Sequence, residues 1–403
     1  MSSNASVETI TKRVGFDPRS PAWLGIIVAA VAVLAGALTP LRENMWPALL
    51  VNLLFWGAIA QGMLIWAAVF WTAKAEWTAG VNRLGHAAAC FLPVSVVVYL
   101  LLFVGVGSWL TWSPVFEPKG AWLNAPFLFV RGLVCYLALA WLSLWFVRLY
   151  RRADDQATDE DEKEDELQAT IDRMGKVSIA LIITYAFAFS MISYDLIMSL
   201  SPMWISTMFG GYFFIGSMFA ALAALIITAT LVRDRLPLGK HLGSEQYRNL
   251  GNLLLGFSIF TAGLMFAQWL TIWYGNMPEE TEFLIDRFYY EPWKTLSILT
   301  FALAFLAPFV FMQSNPLKEN PGRAWIPAVI VLVGMLIERT VLIVPSIQHE
   351  APLLTFAFIG VIAPGFLGGL VITMRAHLRA NDTASPVDLS LRARNRAVEE
   401  VSP

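Results

Sequence analysis

Ten long apolar runs, separated by short polar stretches, cover residues 22–40, 47–72, 85–108, 124–149, 174–200, 207–232, 248–273, 292–313, 324–345 and 351–376. None shows the ten-residue alternation of a membrane β-barrel. Each is long enough to cross a hydrocarbon core of about 30 Å. In lipid a spanning backbone must satisfy its own hydrogen bonds. The pattern therefore predicts an all-α membrane protein of about ten transmembrane helices. Residues 1–21 are expected to be a polar N-terminal tail, with no cleavable signal. The membrane domain is expected over 22–376 and a C-terminal tail over 377–403.

Composition sharpens this. The 403 residues are 57% hydrophobic and 14% charged, against about 45–50% and about 25% for soluble domains. A water-soluble or disordered chain is excluded. The net charge of −2 argues against nucleic acid as a partner. Of 28 Lys and Arg, 22 fall on one side of the predicted spans and four on the other. The positive-inside rule then places both termini in the cytoplasm. Residues 154–166 hold nine acids and one Lys, and read as a solvated linker or as a docking patch for a basic partner, within a predicted loop over 150–173. The opposite-side loop 274–291 mixes acids and aromatics, as an interfacial belt or a partner surface would.

Two cysteines, Cys90 and Cys135, cannot hold an iron–sulfur cluster. Four histidines, His86, His241, His349 and His377, exclude a two-haem cytochrome b, although His86 and His377 leave one pair conceivable. Neither a haem c motif nor a nucleotide fingerprint occurs. The chain is expected to carry no cofactor of its own.

Ionisable groups inside a span cost about 2.5–3.5 kcal/mol on insertion scales, which makes them the first functional suspects. Arg131, Asp195, Glu338, Arg339 and the amide Gln268 come from four spans and lie at similar depth, toward the side poor in Lys and Arg. Their formal charges cancel. One reading is structural: two Arg–carboxylate pairs that pin the fourth, fifth and ninth helices. The other is a proton relay, extended inward by Tyr194, Tyr185 and Ser190. A second polar set, Gln61, His86, Asp172 and Lys176, lies deeper or toward the basic side. His86 suits proton exchange near neutral pH, or is an ordinary helix-end histidine. Gly210, Gly211 and Gly216 read as close helix packing. A quinol site needs a proton acceptor beside an aromatic slot, and no single cluster in the sequence shows both.

Two stretches carry a resemblance. Ser193-Tyr194-Asp195-Leu196-Ile197-Met198-Ser199-Leu200, continued by Ser201-Pro202-Met203-Trp204 to Gly210, resembles a signature of the membrane subunits of alternative complex III, in the wider NrfD-like family of polysulfide-reductase and nitrite-reductase anchors. So does Gln268-Trp269-Leu270-Thr271-Ile272-Trp273-Tyr274-Gly275-Asn276-Met277-Pro278-Glu279-Glu280-Thr281. The short tail and total length are similar to the F-type subunit rather than the larger C type. The resemblance implies two four-helix bundles, helices two to five and six to nine, with helices one and ten peripheral. It implies a bacterial cytoplasmic (inner) membrane. It also implies a complex that oxidises menaquinol or ubiquinol, with haem c and iron–sulfur clusters in partner subunits and a quinol-oxidising C subunit. For the F type it implies a proton-conducting path. The resemblance also implies a His and a Tyr after Pro202. Met203 and Ile205 stand there instead, which shifts weight to Asp195, Glu338, Glu279 and Glu280. The alternative is an independent secondary transporter. Transporters usually break helices near the midplane, whereas no Pro interrupts the fifth or seventh run.

Overall fold

The computed structural model describes residues 21–159, 164–348 and 352–389. The expectations for the N-terminal tail, for residues 160–163, for His349 and for residues 390–403 lie outside them. The chain is an all-α membrane protein. Its helices are α1 (Pro21–Ala37), α2 (Arg42–Thr72), α3 (Glu76–Trp109), α4 (Ala125–Thr158), α5 (Glu164–Leu200) and α6 (Met208–Arg233). They continue with α7 (Ser244–Gly275), α8 (Pro278–Phe288), α9 (Trp293–Phe311), α10 (Trp325–Ser346) and α11 (Leu353–Ala380). Nine of these are long and apolar enough to span a membrane, and the shorter α1 is apolar throughout.

Burial divides the helices. α2 and α6 are the most enclosed, and they pack on each other at the centre of the molecule. α3, α4 and α5 surround one side of α2, while α7, α9 and α10 surround α6. α1 and α11 pair and lean on α2. The seam between α2 and α6 depends on small residues. A Cβ at Gly62 would lie 2.7 Å from the Cβ of Ala221 and 3.1 Å from the Ser217 carbonyl oxygen. Packed interiors resist such insertion. Gly62→Val is therefore expected to cost about 1–3 kcal/mol, read as a lower unfolding midpoint in detergent. An unchanged midpoint would show that the seam tolerates expansion.

Three expectations are corrected. The acidic loop over 150–173 is mostly helix: α4 runs on to Thr158 and α5 starts at Glu164. Hydropathy reports where lipid ends, whereas a helix continues into water or protein. Asp154, counted with the solvated acids, is buried. The loop 274–291 contains α8. Pro278 sits in its first turn with Glu279 and Glu280, and Arg287 in its last turn, which suits the helix dipole at both ends. Asn276, at φ 46°, ends α7 in the left-handed region and turns the chain into α8.

Candidate functional site

The predicted polar set divides into two sites. In the first, Arg131 of α4 grips Asp195 of α5 with both ends of its guanidinium: Nε donates to Oδ2 at 2.8 Å, and a second nitrogen reaches Oδ1. The Trp122 and Phe127 rings lie 3.9 and 4.6 Å from the guanidinium carbon. Both carboxylate oxygens are thus occupied by one cation, boxed in by aromatic faces. Tyr194, next in sequence, points elsewhere and donates to the Thr207 carbonyl at 2.9 Å. Gly210 lets it do so, since a Cβ there would lie 2.7 Å from the Tyr194 hydroxyl. Gly211, by contrast, faces open space.

The second site is built on α10. Arg339 pairs with its own neighbour Glu338, at 2.7 and 3.0 Å. This pair alone joins no two helices, so the predicted pinning of the ninth span to the fourth and fifth is not what it does. The guanidinium instead reaches α6. It donates to Ser217 Oγ at 3.2 Å and lies 4.2 Å over the Phe213 ring. Tyr212 is hydrogen-bonded to Glu338. Tyr185 of α5 donates to the Phe214 carbonyl at 3.0 Å, while Ser217 Oγ donates to the Phe213 carbonyl at 2.7 Å. The result is a polar thread, Tyr212–Glu338–Arg339–Ser217, with Tyr185 beside its end, through an apolar bundle. Among the described residues it shares no hydrogen bond or ion pair with Arg131 or Asp195.

Glu338 and Tyr212 also line a cavity of about 360 Å³ between α6, α7, α8, α9 and α10. That volume is within the usual range of small-molecule sites, about 300–1,000 Å³. Its walls are mainly apolar and rich in aromatic rings, among them Phe209, Phe266, Trp269, Phe301 and Phe305. Phe266, Ile298 and Phe301 are also half exposed on the outer, apolar surface, so the cavity reaches the face that meets lipid. Part of its wall is a π-helical stretch, Phe301–Leu306, a geometry frequent at functional sites.

The roof is α8. Phe283 stacks on Trp204 at 3.6 Å with a 12° interplanar angle, and the Arg287 guanidinium lies 3.5 Å over Phe283. Arg287 donates to the Phe283 and Leu342 carbonyls and to Ser346 Oγ, but its Nε has no partner. Trp204 Nε1 and Thr261 Oγ1, which also belong to the lining, are likewise buried without a hydrogen bond. Gln268 lines the same cavity and accepts from Ser206 Oγ at 2.6 Å. Unpaired buried polar atoms are costly and rare. Here three of them surround one aromatic cavity that holds a carboxylate. The structure therefore does combine a proton acceptor with an aromatic slot, which sequence inspection did not find.

Sequence reasoning missed Tyr212, Ser217, Thr261 and Arg287. The first three read as ordinary span residues, and Arg287 as a loop charge. The signal within reach was Arg287 on an amphipathic eleven-residue helix. His86 of α3, Gln61 of α2 and the Asp172–Lys176 stretch of α5 lie apart from this cavity. His86 packs on Tyr150, with ring centroids 3.9 Å apart, and Gln61 donates to Ser143 Oγ at 3.0 Å. Asp172 and Lys176 line a separate cavity at the basic side. Among the described residues no group of three His, Cys, Asp or Glu is arranged to hold a metal ion. Comparison with protein-family models and with curated proteins finds no match.

Proposed function

We propose that this chain is a membrane subunit, without a redox centre of its own, of a quinol-oxidising electron-transfer complex of the alternative complex III type. Its role is to receive a quinol headgroup at the Glu338 cavity and to pass the released protons. One observation carries the reading: a lipid-facing cavity rich in aromatic rings, in which, among the described residues, the buried polar atoms without a partner are groups able to donate, set beside a carboxylate. A quinol presents a flat ring with a hydroxyl at each end. The aromatic walls suit the ring. Arg287 Nε and Trp204 Nε1, at the α8 roof, suit an oxygen at one end, and Glu338, with the Thr261 side chain near Gly216 and Arg339, suits the proton leaving the other. The two electrons go to iron–sulfur and haem c centres in partner subunits, beside a C-type subunit. The protons go to the Tyr212–Glu338–Arg339–Ser217 thread, with Tyr185 beside its end. The two motifs around Asp195 and Gln268 support the family reading, as does the Lys and Arg asymmetry for a bacterial inner-membrane subunit with cytoplasmic termini.

A tagged chain purified from its native membrane is expected to bring down haem c and iron–sulfur subunits. A photoreactive menaquinone or ubiquinone analogue is then expected to label peptides of α7 and α9 in that complex, and unlabelled quinone to suppress the label. Label confined to another subunit would remove the quinol site from this chain. A haem-free chain that purifies alone would overturn the complex itself.

A further inference from the structure

A second cavity, of about 540 Å³, lies at the opposite end of the molecule, on the basic side, and shares no residue with the Glu338 cavity. Part of its wall comes from the segment that follows α11, which folds back over α3 and α4. Ser385 Oγ donates to Asp154 Oδ1 at 2.5 Å, and the Val387 amide to the same oxygen at 3.3 Å. Arg83 completes the clasp, pairing with Asp154 at 2.6 Å and donating from Nε to the Thr383 carbonyl at 3.2 Å. This anchoring places Asp388 in the cavity wall beside Asn82 of α3, which donates to it at 3.0 Å.

The lining changes character from its deep wall to its rim. Asn82 is only 2% exposed. Its Nδ2 is engaged by Asp388 and, at 3.2 Å, by Thr78 Oγ1, while its Oδ1 accepts from nothing. A buried carbonyl oxygen of this kind calls for an N–H or O–H donor. With the Asp388 carboxyl beside it, a positively charged donor fits best. Burial pushes that carboxyl up to about 7, and an ammonium against it would draw it back down. At the rim stand Lys74, in the turn between α2 and α3, and Lys176 of α5, both exposed. Among the described residues neither is in an ion pair. Lys74 takes φ 52°, in the left-handed region. Beyond Lys176 the same face of α5 carries Ile179, Ile183 and Phe187, which are 49%, 65% and 63% exposed. Ile179 belongs to the cavity lining, and the three run about 12 Å along the helix away from it.

An apolar stripe, then two cations, then a buried acceptor beside a carboxyl is the complement of one kind of molecule: an acyl chain, then a phosphate, then an ammonium. We propose that this cavity seats a single aminophospholipid of the phosphatidylethanolamine class. Its acyl chain lies along Ile179, Ile183 and Phe187, its phosphate between Lys74 and Lys176, and its ammonium against Asn82 Oδ1 and Asp388. Lysines alone would select an anionic lipid. Here Glu76, Asp172 and Asp388 line the same space, which sets like charge against a headgroup of net negative charge and matches a zwitterion. A choline headgroup carries the same two charges but has no N–H for Asn82. The volume is within the range of small-molecule sites. The bound lipid joins α2, α3, α5 and the returning segment at the membrane surface, and the site is independent of the quinol reading.

The experiment is native mass spectrometry of the full chain, delipidated in detergent and titrated with phosphatidylethanolamine, phosphatidylcholine or phosphatidylglycerol of identical acyl chains. One phosphatidylethanolamine per chain is expected to bind about tenfold or more tighter than phosphatidylcholine, the effect of a hydrogen bond to a charged group. Phosphatidylglycerol should also bind more weakly. Lys74→Gln with Lys176→Gln, both at exposed positions, should abolish the tight site and leave the fold intact. Asp388→Asn should keep the lipid but narrow its preference for ethanolamine over choline. Phosphatidylethanolamine with a diazirine in its acyl chain should label α5 between Ile179 and Phe187. Phosphatidylglycerol bound as tightly or tighter would make this a plain anionic-lipid site and overturn the proposal. So would equal binding of all three lipids, a preference unmoved by the lysine pair, label confined to other helices, or displacement of the lipid by a quinone.

Discussion

Glu338→Gln is expected to lower quinol oxidation by the assembled complex by about 10²–10⁴-fold, the usual contribution of a positioned proton acceptor. Glutamine keeps the volume, and its carbonyl still accepts from Tyr212 and Arg339, so the thread stays hydrogen-bonded. It cannot take up a proton. The chain should therefore assemble with its partners in normal amount while turnover collapses. Photolabelling by the quinone analogue should persist, because the aromatic walls and Arg287 are untouched. Full turnover in Glu338→Gln would show that the carboxylate only neutralises Arg339. Loss of label and assembly together would mean that the pair is structural.

Arg131→Leu is expected to destabilise the protein by about 3–5 kcal/mol, the cost of leaving a buried charge without its partner. Asp195 is almost fully buried, and its two oxygens have Arg131 as their side-chain partner. The double change Arg131→Leu with Asp195→Leu should recover most of the loss, since apolar replacements of a buried pair are often neutral. Unfolding midpoints of the two single variants and the double variant in detergent give the coupling directly. Additive losses would mean that each residue acts through contacts other than the pair. Neither change should alter turnover per assembled complex, because the pair stands apart from the Glu338 thread. A drop in turnover at normal stability would restore Asp195 to the proton path.

The two sites explain why sequence reading grouped what the fold separates. Arg131, Asp195, Glu338, Arg339 and Gln268 were placed together by depth, and depth along a span is legible from its ends. Rotation about each helix axis is not: Ser217 and Gln268 sit on α6 and α7, which carry apolar residues on every side and show no preferred face. Only packing tells that Arg339 turns to Ser217 on α6 while Arg131 turns to Asp195 on α5. Asp154, expected among solvated acids, is misread for a related reason, and its ion-pair partner is Arg83. Beyond the hydrocarbon core a charge looks solvated in sequence, yet the returning C-terminal segment buries both against each other.

What the amino-acid order settled by itself is the class of the fold: about ten apolar helices, their depths, and the asymmetry of basic loops. Lipid enforces this locally, since each span must satisfy its own backbone and each charge near it carries a cost that composition reveals. What only the tertiary structure decided is which polar groups meet. The Glu338 cavity draws on five helices, and the Asp388 clasp joins α3, α4 and residues more than 200 positions away. Such sites depend on how helices turn toward one another. In a uniformly apolar solvent no periodic pattern of polarity records that choice.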